Sequence, residues 1–186
     1  MFLTTLHYIK EGAFPEEFCK EVIVSGEEKD LTLAKIQDGD QLNRKSKVSW
    51  LEKDNLEKAI TLVVNEANEK SGWNFLLSEF EPLQFTVYNP RDHYDWHIDS
   101  HNKPYENGYV RKLSFTICLN DDYTGGDFEI GVPHPTSYKN KSFRFKKVFK
   151  KGTIIVFPSF LWHKVHPVIS GTRKVLVGWI VGKPFV

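Results

Sequence analysis

The chain has 186 residues, 40% of them hydrophobic and 26% charged, the composition of a soluble globule with a single core rather than of a disordered chain. Lys and Arg number 25 against 24 Asp and Glu, so a net charge of +1 provides no global field to select nucleic acid, and histone-like binding is excluded. The two cysteines, Cys19 and Cys118, are too far apart for a CxxC metal site, and a disulfide framework is excluded with it.

At the N-terminus no basic segment leads into a sustained apolar stretch, and no window approaches the ~18 apolar residues of a membrane span. The expectation is a soluble, cytoplasmic, monomeric protein of one domain over 1–186, without a signal peptide or transmembrane segment. Pro15 followed by Glu16 and Glu17, then Phe18, Cys19, Val22 and Ile23 at helical spacing, predicts a short amphipathic helix. The polar run from Asp38 to Ser46 has no period and is expected as a loop. From Leu51 to Lys70 the residues Leu51, Leu56, Ala59, Ile60, Leu62, Val63 and Ala67 lie mostly on one stripe ending at Ser71-Gly72, which predicts a second helix. Residues 1–80 are therefore expected to be mainly helical support and a substrate loop.

Beyond Pro82 the signals become short β-rich runs parted by turn residues: Leu83–Tyr88, Trp96–Ser100, Lys112–Leu119, Asp127–Val132, Phe143–Val148, Thr153–Phe157, His163–Val168 and Thr172–Val181. About eight such strands, with turns at Tyr123–Gly126 and Ser170-Gly171, predict a β-sandwich or jelly roll over 83–182 with helices packed outside it, an α+β chain that is mostly β. The basic run from Lys139 to Lys151, with Arg144, Lys146, Lys147 and Lys150, fits a solvated strand face better than a nucleic-acid patch.

Chemistry concentrates in Arg91–His101, which holds His93/Asp95 and His97/Asp99. On an extended strand, residues i and i+2 face the same way, so either His/Asp pair can reach one metal ion. A third ligand is available in His163 or His166, and two histidines with one carboxylate leave the open positions that suit non-haem Fe(II) oxygenase chemistry. Arg173 shares a strand face with Val175, Val177 and Trp179, where a guanidinium is costly unless it finds an anion. A carboxylate would suit it as a two-pronged partner.

These residues resemble the prolyl-4-hydroxylase-type branch of the Fe(II)/2-oxoglutarate-dependent dioxygenases. The similar segments are Tyr88 with His97-Ile98-Asp99, then Gly125-Gly126-Asp127-Phe128, then Lys151-Gly152…Phe157-Pro158-Ser159…His163-Lys164-Val165-His166-Pro167-Val168…Gly171-Thr172-Arg173. The resemblance implies a distorted double-stranded β-helix. It implies His97, Asp99 and His163 as ligands of Fe(II), and Arg173 with Tyr88 as contacts of the cosubstrate 2-oxoglutarate. O2 is the oxidant, and ascorbate is a further candidate cofactor. Arg44 and Ser46, in a segment similar to the family's mobile R-x-S loop, together with Arg111 and Trp179, are implied to lie near a substrate groove. The loops 36–48 and 100–109 are expected to cover it.

Two positions depart from the family pattern: Cys118 stands where many relatives carry an aromatic residue, and Arg173 where collagen-type enzymes carry Lys. The implied activity is hydroxylation of an unactivated C–H, foremost a prolyl residue (4-hydroxylation) in a peptide or protein, with release of succinate and CO2. The alternatives are hydroxylation of another residue or a free amino acid, and a metal-free β-sandwich binding module built on Trp50, Trp73, Trp96, Trp162 and Trp179.

Overall fold

A computed structural model describes residues 5–34, 43–52, 56–101, 103–132, 141–145 and 149–185. In chain order the elements are β1 (Tyr8–Lys10), α1 (Glu16–Glu27), β2 (Thr32–Leu33), β3 (Arg44–Lys45), β4 (Lys47–Leu51), α2 (Glu57–Lys70), β5 (Glu79–Phe80), β6 (Leu83–Tyr88), β7 (His93–His97), β8 (Val110–Cys118), β9 (Thr124–Gly125), β10 (Phe128–Val132), β11 (Lys141–Phe145), β12 (Ile154–Pro158), β13 (Trp162–Val165), β14 (Val168–Ser170) and β15 (Arg173–Gly182). No helix among the described residues is long and apolar enough to cross a membrane.

The larger sheet runs β1-β12-β8-β15-β6-β4-β2, with β5 also paired to β15; the smaller runs β11-β10-β13-β7-β3, and β14 pairs β9. All the pairings are antiparallel. This is the jelly roll anticipated from the strand spacing, and the eight anticipated runs overlap, some only in part, with β6, β7, β8, β10, β11, β12, β13/β14 and β15. Residues 146–148, the end of the fifth run, lie outside the described residues.

Strand alternation divides the large sheet between two cores. Leu83, Phe85, Leu113, Phe115, Ile117, Ile154, Val156, Leu176 and Ile180 face the helices, joining Cys19 and Val22 of α1 and Ile60, Val63, Val64 and Ala67 of α2. Val175, Ile155, Phe157 and Tyr88 point the other way and meet Phe128, Ile130 and Val165 of the small sheet inside the barrel. Gly26 permits the close approach of α1: a Cβ built there would lie 2.3 Å from Phe85 Cγ.

Several boundaries differ from the sequence expectation. The second helix starts at Glu57, because Leu51, although it continues the apolar stripe, belongs to β4 and pairs with Leu83. The first eighty residues thus contribute strands as well as helices. The expected loop 38–46 lies in part outside the described residues, and its end, Arg44-Lys45, pairs with Tyr94 and His93. The strand expected over Trp96–Ser100 instead spans His93–His97. It leaves the ladder because the backbone amides of Asp99 and Ser100 both donate to the Ser159 carbonyl, at 3.0 and 3.1 Å.

Candidate metal centre

Register brings the three implied ligands together. His163 on β13 lies opposite His97, the last residue of β7, and Asp99 turns in from the irregular segment beyond it. Their ligand atoms all lie within 4.8 Å of one another. His97 Nε2 is 3.8 Å from Asp99 Oδ1, and His163 Nε2 is 3.4 Å from Asp99 Oδ2. The pairing thus comes from strand register and a turn, not from the shared strand face that an i, i+2 spacing suggests.

Both imidazoles are fixed in the same way. His97 Nδ1 lies 2.7 Å from the Asp95 carbonyl and His163 Nδ1 3.0 Å from the Leu161 carbonyl. A carbonyl can only accept, so each ring carries a proton on Nδ1 and turns Nε2 toward Asp99, the orientation metal ligation requires. Burial, with His163 adjacent, pushes His97 down to about 3, so it stays neutral. Burial opposes ionisation of Asp99, but His163, His97, Arg111 and the Ser114 hydroxyl outweigh it and hold the carboxyl at about 2. Two imidazoles presenting Nε2 and a carboxylate, with open space before them, form a donor set suited to Fe(II).

The polar groups next to Asp99 and His97 are held by one another. Ser114 Oγ is 2.7 Å from Asp99 Oδ2 and 2.9 Å from Ser159 Oγ. With one proton to give, it donates to the carboxylate and accepts from Ser159. Tyr94 stacks on the His97 ring at 3.4 Å between centroids, and the Arg44 guanidinium lies 4.5 Å over Tyr94. Arg44 Nε donates to Ser46 Oγ at 3.0 Å; Ser46 itself is buried and steadies Arg44, which lines the cavity.

His93 and His166 lie apart from this group. His93 Nδ1 meets its own neighbour's carbonyl, Arg91 O, at 3.2 Å, and His166 Nε2 lies 2.6 Å from Glu129 Oε2. Of the basic run, Arg144 is paired with Asp127 at 3.0 Å and Lys151 with Glu16 at 2.8 Å; Lys146 and Lys147 lie outside the described residues.

The cavity before the triad is lined by Arg44, Tyr88, Thr116, Arg173, Val177 and Trp179 among others. Arg173 is 3% exposed, sits opposite Tyr88 in the β6–β15 ladder, and leaves Nε and Nη1 buried without a hydrogen-bond partner. Thr116 Oγ1 and Trp179 Nε1 are likewise buried and unpartnered. Unpaired buried donors are costly, so an anionic, hydrogen-bonding guest is what this pocket is built to accept.

Arg111 and Trp179 meet as a stacked pair, the guanidinium 4.0 Å from the ring centroid, and the Trp50 ring is tilted beside Trp179 at 6.3 Å between centroids. Sequence reasoning missed the residues that hold this pair. Glu81 takes the Arg111 fork, and Tyr105, from the loop after Asp99, donates to Glu81 at 2.8 Å. Neither sits in a motif; β5–β15 pairing and the loop bring them together from distant sequence positions. Of the loop expected over 36–48, residues 36–42 lie outside the described residues.

A family model described as the 2OG-Fe(II) oxygenase superfamily matches residues 83–181. A PKHD-type hydroxylase of Prochlorococcus marinus is 32% identical over 153 residues, 81% of this chain and 62% of that protein. Another, of Crocosphaera subtropica, is 34% identical over 101 residues, 53% and 41% respectively. The chain spans about half the length of the curated relatives it matches. Among solved structures, a Pseudomonas putida prolyl-4-hydroxylase superposes with a TM-score of 0.70 at 18% identity, covering 97% of this chain and 95% of the other. A viral collagen prolyl hydroxylase from Paramecium Bursaria Chlorella virus-1 does so with a TM-score of 0.69 at 20% identity, covering 96% and 97%. At these identities the likeness is one of fold.

Proposed function

Because the chain belongs to the 2OG-Fe(II) oxygenase superfamily, we propose that it is a 2-oxoglutarate-dependent dioxygenase hydroxylating an unactivated C–H, foremost in a prolyl residue of a peptide or protein. In this reading His97, Asp99 and His163 hold Fe(II), while Arg173 and Tyr88 hold 2-oxoglutarate. The observation that carries it is the buried Arg173, with two unpartnered guanidinium nitrogens, in the lining of the same cavity as the His-Asp-His cluster. A dicarboxylate bridging from a metal to Arg173 would satisfy both groups at once.

When bound, Fe(II), 2-oxoglutarate and O2 supply the oxidising power for hydroxyl insertion, with succinate and CO2 as co-products. The protein's part is orientation and exclusion of water. The Nδ1–carbonyl bonds of His97 and His163 aim both Nε2 atoms, and Ser114 fixes the Asp99 carboxylate. Phe128, Phe157, Val165, Val175 and Val177 line the cavity with apolar surface, keeping bulk water from the reacting centre. Arg44, Ser46, Arg111 and Trp179 serve the substrate side: Arg44 and Trp179 line the cavity, Ser46 steadies Arg44, and Arg111 stacks on Trp179.

The binding-module alternative draws less support, since Trp73 and Trp179 are 1% and 6% exposed and cannot form an external aromatic platform with Trp50, Trp96 and Trp162. The test is anaerobic titration with Fe(II) and 2-oxoglutarate, then O2 exposure with succinate detection, with and without a proline-rich peptide. Metal-dependent 2-oxoglutarate binding and peptide-stimulated succinate are expected. Binding with only slow, peptide-independent succinate would reject the prolyl peptide, and absence of binding would reject the oxygenase.

A further inference from the structure

Glu81 ligates nothing in the cluster, yet it controls the nearest strong competitor for Asp99. Its carboxylate accepts Arg111 Nε at 2.8 Å on one oxygen and Nη2 at 2.5 Å on the other. The two side chains are 19% and 15% exposed, so the pair is largely removed from water. The third Arg111 nitrogen, Nη1, donates to the Asp99 backbone carbonyl at 3.3 Å. The guanidinium therefore already touches the residue whose carboxylate faces His97 and His163.

A guanidinium fork prefers a carboxylate to a carbonyl, because both ionic hydrogen bonds form in parallel. Without a partner of its own, Arg111 would gain by turning from the Asp99 carbonyl to the Asp99 side chain. That would occupy the oxygens now directed at His97 Nε2 and His163 Nε2. Glu81 removes the incentive by satisfying two edges of the fork, and Trp179 limits rotation by stacking on its plane.

We propose that Glu81 is a positioning residue that holds Arg111 off the Asp99 carboxylate and so keeps that carboxylate free to bind metal. The inference rests on the metal-centre reading above. It assigns Arg111 a structural charge already consumed inside the protein, so that Arg111 offers substrate no free cation.

The test is Mn(II) binding, followed by the electron paramagnetic resonance of free Mn(II), for the unsubstituted protein and for E81Q, Y105F and E81Q/R111Q. Each protein is checked for folding by thermal melting. E81Q keeps the volume and one acceptor but loses the charge, and its Mn(II) affinity is expected to fall by about tenfold or more, the usual scale for groups that support a ligand. In E81Q/R111Q the competitor is gone, and affinity is expected to return to near that of the unsubstituted protein. Y105F removes only the loop contact and is expected to bind Mn(II) normally. Unchanged affinity in E81Q, failure of the double variant to recover, or an equal loss in Y105F would each overturn the inference, the last two by making Glu81 a general support of the fold. Absence of Mn(II) binding by the unsubstituted protein would instead overturn the metal-centre reading, and this inference with it.

Discussion

Arg173 and Tyr88 face each other across the β6–β15 ladder, and the guanidinium carbon lies 5.3 Å from the tyrosine ring centroid inside the barrel. The tyrosine packs beside the cation without consuming the fork, and Nε and Nη1 remain unpaired. Tyr123 provides one hydrogen bond to the guanidinium, but a buried charge with Nε and Nη1 left open costs stability that a ligand can repay. R173Q is therefore expected to raise the Kd for 2-oxoglutarate by on the order of a hundredfold or more, given about 1.5–3 kcal/mol for each lost ionic hydrogen bond. The ligand-free variant should melt no lower than the parent. Isothermal titration in the presence of Mn(II), with parallel melting curves, checks both halves. A melting loss with unchanged affinity would make Arg173 a structural residue.

Ser114 supplies the sharper test of how Asp99 is oriented. Its hydroxyl donates to Asp99 Oδ2 at 2.7 Å, whereas Ser159 reaches Asp99 through its backbone carbonyl, which accepts the Asp99 amide at 3.0 Å. S114A removes the donor to the carboxylate and should weaken metal binding about tenfold. S159A leaves the backbone bond intact and should weaken it less. Metal titration of the two variants side by side gives the order, and the reverse order would move the orienting role to Ser159.

The strands are legible wherever the period is long enough to see. β6 emerges with its observed ends because Leu83, Phe85 and Val87 alternate with Gln84, Thr86 and Tyr88, and Asn89-Pro90 stops the run. β1, β2 and β5 have two or three residues each, too few for alternation to register, and exist only because a neighbouring strand presents free backbone groups. Leu51 misleads for a related reason: a β-strand residue abutting a helix can fall on the helical stripe by chance. The His97-Asp99-His163 cluster is legible through motif resemblance, while the i, i+2 argument leaves His93/Asp95 and His97/Asp99 equal and rests on a shared strand face that the structure does not have, since Asp99 lies past the end of β7. Glu81 and Tyr105 carry no signal at all, because their meaning comes from Arg111, thirty and six residues away respectively in sequence.

The α1–β6 contact predicts a measurable packing limit. Gly26 lies on the buried face of α1, and a Cβ there would stand 2.3 Å from Phe85 Cγ and 2.4 Å from its Cδ1, with Phe85 fully buried. Alanine would gain roughly 0.5–1 kcal/mol in helix propensity. Overpacking a filled core costs about 1–3 kcal/mol and wins, because neither the ring nor the sheet beneath it has room to retreat. G26A should lower the melting temperature by several degrees, at about 2–4 °C per kcal/mol for a chain of this size. Melting by circular dichroism checks it, and an unchanged or higher midpoint would show that α1 can lift from the sheet at no cost.

Acid stability should depend in part on a carboxylate at the junction of β1 and α2. Glu66 accepts Lys10 Nζ at 2.6 Å, Lys70 Nζ at 2.5 Å and the Tyr8 hydroxyl at 3.0 Å. These hydrogen bonds, led by Lys10, hold its pKa at about 2 against an ordinary value of 4.5. A carboxyl with a folded pKa below its unfolded one binds fewer protons when folded, so its contribution is complete above about pH 4.5 and is lost as pH falls toward 2. The group is at the surface, so salt should diminish the effect. E66Q is therefore expected to flatten the dependence of unfolding free energy on pH between 4.5 and 2, and to reduce its sensitivity to salt there. Urea unfolding at a series of pH values, at low and high ionic strength, makes the comparison. Equal slopes for parent and variant would mean that the pairing persists in the unfolded chain or that Lys10 and Lys70 are held by other groups.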